Sequence, residues 1–81
     1  MKNEIKISKV SYEVTTNVNG GFTTWYKGDS ELEAIKEFCE REIGFTKMLG
    51  KAHESFGDVR EWYNEREDKT LTLALVQIWH K

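Results

Sequence analysis

With 81 residues the chain has room for one domain and one core. A single cysteine and a formal net charge of −2 exclude two classes. No intramolecular disulfide frame can form, and a general nucleic-acid binder needs a strong basic face to release counterions. No apolar run approaches the ~20 residues of a membrane span, and the opening Met1-Lys2-Asn3-Glu4-Ile5-Lys6 lacks the apolar core of a signal peptide.

The unpaired cysteine suits a reducing compartment, so a soluble, cytoplasmic protein is expected. Charge is unevenly placed. Residues 1–28 carry four lysines against Glu4 and Glu13, residues 29–68 carry six bases against twelve acids, and Lys69 and Lys81 follow. The middle is acidic and the ends are basic. There is no proline, repeat or linker, so residues 1–81 form a single domain.

In chain order, residues 5–16 read as a strand carrying Ile5, Ile7, Val10, Tyr12 and Val14. The parity of those apolar positions switches between Ser8 and Lys9, which calls for a bulge or a strand end. Asn17-Val18-Asn19-Gly20-Gly21 is a turn, since Asn and Gly accept positive φ cheaply. Residues 22–27 return antiparallel and complete a first hairpin. Ser30 with Glu33 then makes a capping box. The following helix gathers Leu32, Ile35, Phe38, Cys39 and Ile43 into one arc, expected to face the core, and Gly44 is read as its stop.

Residues 45–57 carry Phe45, Met48, Leu49, Ala52 and Phe56 at helical spacing, interrupted by Gly50. A short second helix, or a helical turn with an irregular tail, is expected there. Residues 59–64, a charged turn over 65–69 and residues 70–80 form a second hairpin. The last strand is apolar on both parities, which suits a central position. The expected architecture is α+β, in the order β-β-α-(α)-β-β: a four-stranded antiparallel sheet of two β-hairpins with one main amphipathic helix on one face.

Chemistry-bearing constellations are sparse. His53 and His80 are the two histidines, neither with a second ligand at helical spacing, so no metal and no cofactor is expected. Cys39 and His53 could be drawn as a nucleophile–base dyad, but a cysteine on a buried stripe resists ionisation. No glycine-rich phosphate loop opens a helix. A non-enzymatic protein is expected, because two layers of this size rarely enclose a pocket of catalytic volume.

Two features point to binding instead. Glu33, Glu37 and Glu40 line the helix opposite its apolar arc, an acidic ridge suited to a basic groove on another protein. The second feature is the pair of Trp-Tyr dipeptides, Trp25-Tyr26 and Trp62-Tyr63, each in a strand where successive side chains alternate faces. Trp25 shares parity with Thr23 and Lys27, and Trp62 with Arg60 and Asn64. Tyr26 follows Phe22, and Tyr63 follows Val59. The neighbours assign both tyrosines to the helix side and both tryptophans to the outward face, with Lys27 and Arg60 able to lie over the rings.

The expected function is therefore a small protein-binding module, with Trp25, Trp62, Lys27, Arg60, Glu33, Glu37 and Glu40 as its contact residues. A homodimer through a sheet face or edge strand is a natural variant. The alternative is a single-stranded nucleic-acid binder stacking bases on the same aromatic face. In size and composition the chain resembles the small accessory proteins of bacteriophages, which implies an inhibitor of a host defence or transcription protein.

Overall fold

The computed structural model describes residues 9–80. Its elements are β1 (Lys9–Val18), β2 (Gly21–Gly28), α1 (Glu31–Leu49), β3 (Glu54–Phe56), β4 (Val59–Asn64) and β5 (Lys69–His80). All strands pair antiparallel in one five-stranded sheet of order β2-β1-β5-β4-β3. The α+β class and both expected hairpins are present, with β5 at the centre. The expected parity switch at Ser8 and Lys9 lies partly outside the described residues.

Local chemistry sets the turns. Asn19 and Gly20 both take positive φ, 48° and 91°, which is the twist that a two-residue hairpin needs. The Asn17 side-chain oxygen accepts from the Gly20 N–H at 2.8 Å. In the second hairpin Asn64 Oδ1 accepts from the backbone N–H groups of Arg66 and Glu67, at 3.0 and 3.3 Å, and so holds the charged turn without needing glycine.

Ser30 caps α1 as expected, its Oγ accepting from the Glu33 N–H at 3.2 Å. The helix does not stop at Gly44. It continues to Leu49 and ends where Gly50 takes φ 87° and donates its N–H to Thr46 O at 2.8 Å. The reason is packing. Phe45, one residue past the expected stop, sits edge-on to Trp25 (centroids 6.5 Å apart) and tilted against Trp62 (5.6 Å). That apolar contact outweighs the propensity cost of one glycine, which is about 1 kcal/mol. The expected second helix is absent. Residues 54–56 form β3 instead, a fifth strand turned onto β4 at Gly57 (φ 53°).

The core is Val14 from β1, Ala34 and Phe38 from α1, Trp62 from β4 and Leu73 from β5. Tyr12, Tyr26, Phe45, Ala52, Leu71 and Leu75 pack around it. The helix is rolled relative to the expected arc. Ala34, Phe38, Arg41 and Phe45 turn to the sheet, while Leu32, Ile35, Cys39 and Ile43 are exposed. Of the five residues expected inside, Phe38 alone is buried.

Candidate protein-binding surface

The tryptophans reverse their expected side, for a reason visible in the register. Val14 pairs with Tyr26 and Thr15 with Thr24, so Trp25 is an extra residue in β2, a β-bulge. A bulge breaks the alternation on which the parity assignment rested. Tyr26, opposite buried Val14, keeps its helix-side place, and Trp25 joins it there. The Trp25 indole donates to Thr16 Oγ1 at 2.9 Å and meets Phe45 across the helix interface. Arg41, not Lys27, lies over its ring, with Cζ 4.6 Å from the centroid. Trp25 remains 40% exposed at the rim of the core.

Trp62 is a stronger correction. It is 2% exposed and donates its Nε1–H to Gly50 O at 2.9 Å, so it cannot anchor a partner. Its strand neighbour Arg60 shares the helix side. There the Arg60 Nε meets Glu42 at 2.7 Å and the guanidinium lies 5.3 Å from the Phe38 centroid. Arg60 thus latches α1 to β4 rather than facing outward. Tyr63 takes the opposite face, is exposed, and donates its hydroxyl to Asp68 at 2.6 Å. That carboxylate holds the Tyr63 phenol above its ordinary value of 10.0, because a hydrogen bond to the neutral form and a nearby negative charge both oppose ionisation.

Lys27, one residue beyond Tyr26, takes the open side of the sheet, opposite Glu13 on β1. A shallow depression there is lined by Lys9, Ser11, Lys27, Gly28, Asp29 and His80. Ser11 Oγ and the His80 ring sit 2.8 Å apart, a nucleophile–base distance. Both lie on paired strands whose backbone amides are engaged in the ladder. Cys39 faces outward from α1, and the His53 ring contacts Glu61 at 2.9 Å instead.

The acidic ridge fares better. Glu33 and Glu40 are exposed on α1. Glu37 is half-buried, its carboxylate 3.0 Å from the Arg41 Nε without the alignment of a hydrogen bond. Beside the ridge runs the stripe that the roll of the helix leaves uncovered. Leu32 is 81% exposed, Ile35 44% and Ile43 57%, with Cys39 between them. At 100° per residue these four lie within about 80° of arc, centred roughly 130° from the sheet-facing side. The sequence showed this stripe plainly, but amphipathic reasoning assigned it to the core. Among the described residues no helix is long and apolar enough to cross a membrane. Comparison with family models, with curated proteins and with solved structures returned no match.

Proposed function

We propose that this chain is a small, non-enzymatic protein-binding module whose contact surface is the outer face of α1. The observation that carries the reading is the contiguous exposed stripe of Leu32, Ile35, Cys39 and Ile43, bordered by Glu33 and Glu40. Scattered exposed apolar residues are ordinary, whereas an aligned stripe with a charged rim has the anatomy of an interface. The apolar residues would supply affinity, and the acidic ridge orientation and on-rate.

The finer form of this reading is a phage-type inhibitor of a host defence or transcription protein, supported by chain size and by the acidic 29–68 region. The nucleic-acid alternative is the less favoured reading, because Trp62 is enclosed and Arg41 lies over the Trp25 ring. The test compares wild type with a Leu32→Ser/Ile43→Ser variant. Both sites are solvent-facing, so circular dichroism should show an unchanged fold. Loss of protein association in the variant is the expected result. Association unchanged by the substitutions, or a salt-sensitive grip on single-stranded oligonucleotides, would refute the reading.

A further inference from the structure

The outer stripe of α1 has a property beyond exposure. With Thr46, also exposed and on the same arc, its positions are 32, 35, 39, 43 and 46. The intervals are three, four, four and three, which read the same from either end. An antiparallel copy of the helix therefore meets this stripe in register, with Cys39 on the two-fold axis. Ile35 of one copy faces Ile43 of the other, and Leu32 faces Thr46.

The charges at the rim repeat the symmetry. Lys36, Glu40, Lys47 and Glu33 lie along one border of the stripe by helical geometry. A two-fold axis perpendicular to both helices keeps that border on the same side in each copy. Lys36 of one copy then falls within about 3 Å, along the axis, of Glu40 of the other, at 1.5 Å rise per residue. Lys47 falls at the same offset from Glu33. Glu40 and its own symmetry mate fall at the same offset, one like-charged pair set against the two Lys36–Glu40 and two Lys47–Glu33 attractions. On the opposite border Glu42 is already engaged by Arg60 at 2.7 Å, so its charge is compensated before a second helix arrives.

Resting on the reading that α1's outer face binds protein, we infer that its occupant is a second copy of this chain, docked helix to antiparallel helix about Cys39. An isologous contact of this kind needs one self-complementary patch, and both the apolar spacing and the rim charges supply it. Leu32, Ile35 and Ile43 form a single-helix interface at the small end of the range for specific association. A dissociation constant on the order of 10–100 µM is expected.

The experiment is sedimentation equilibrium from about 1 to 500 µM, bracketing that constant, on four proteins with folding checked by circular dichroism. Wild type should show a monomer–dimer equilibrium. Ile43→Asp, at a solvent-facing site, should remain monomeric. Lys36→Glu replaces two symmetric attractions by repulsions and should weaken the dimer about tenfold. Adding Glu40→Lys should restore it to within about threefold, because the swapped pair is again complementary. Under mild oxidation wild type should link through Cys39 as a covalent dimer, since facing helices bring the two-fold position within disulfide reach.

A wild type monomeric throughout, with no Cys39 linkage, overturns the inference. A dimer indifferent to Ile43→Asp and to the charge swap overturns it as well. If wild type is monomeric while Leu32→Ser/Ile43→Ser still abolishes binding to another protein, self-pairing fails and the protein-binding reading stands. If the stripe variants alter neither self-association nor binding to any other protein, both fail.

Discussion

Truncating Trp62 separates a core residue from a partner anchor. The ring is 2% exposed, tilted against Phe45 at 5.6 Å, and its N–H is held by Gly50 O at 2.9 Å. Trp62→Phe removes the hydrogen bond, worth about 1 kcal/mol net. It also removes roughly 40 Å³ of ring volume, which at ~24 cal/mol per Å³ of residual cavity adds about 1 kcal/mol. The Gly50 carbonyl lies at an exposed helix end and can recruit water, so the sum is an upper value near 2 kcal/mol. Trp62→Ala opens a larger cavity and should cost about 3–5 kcal/mol. A domain of this size has roughly 4–12 kcal/mol in total. The alanine variant should therefore lose a quarter or more of the total and show a much lower urea midpoint, and the phenylalanine variant a smaller drop in midpoint with unchanged slope. Chemical denaturation followed by far-ultraviolet circular dichroism reads both. A Trp62→Ala protein within about 0.5 kcal/mol of wild type, the range of ordinary surface substitutions, would show that the ring is not in the core.

Three other perturbations test separate parts of the fold. Ser30→Ala removes the oxygen that accepts from Glu33 N–H and should cost about 1 kcal/mol, read as a lower thermal midpoint. Arg41→Ala strips the guanidinium from the Trp25 ring and breaks the Glu37 pair. The expected loss is about 1 kcal/mol, accompanied by a red shift of indole emission in a Trp79→Phe background where Trp62 stays enclosed. Tyr63 should titrate above 10.0 by ultraviolet difference absorbance, and Asp68→Asn should lower its titration midpoint. Since the folded chain favours the neutral phenol, any stability from this contact is present below pH 10 and is lost as pH rises through the raised native value.

The four strands of the two main hairpins and the start of α1 were legible because each is decided locally. Alternating residues, an Asn-Gly turn and a serine cap act within a few positions. Two long-range facts were not. Trp25 reads as an ordinary strand residue until β1 is laid beside it and the register slips between Val14 and Thr15. That slip sends Trp25 and Tyr26 to the same side, and no periodicity within residues 22–27 announces it. β3 was hidden for a related reason. Three residues, Glu54-Ser55-Phe56, have too little pattern to distinguish a strand from a frayed helix end until β4 provides their partners.

The roll of α1 is the most instructive case, because the sequence offers two apolar arcs and hydrophobicity alone selects the wrong one. Leu32, Ile35 and Ile43 are more aliphatic than Ala34, Arg41 and Phe45, yet the latter set meets the sheet. Shape and specific contacts decide it. Ala34 is fully buried and small enough for close approach, Phe38 and Phe45 supply aromatic volume around Trp62, and Arg60 reaches Glu42 only in this orientation. A helix with the aliphatic arc inward would leave Phe45 and the Trp25 ring without each other and would break the Arg60–Glu42 latch. The core contacts thus account for which arc goes in, but they do not account for why the other arc is apolar. Leucine and isoleucine at 32, 35 and 43 bring solubility costs that serine or lysine would avoid. That arc lies outside the buried core cluster and is largely exposed, and the proposed pairing with a second copy of α1 would account for its apolar character.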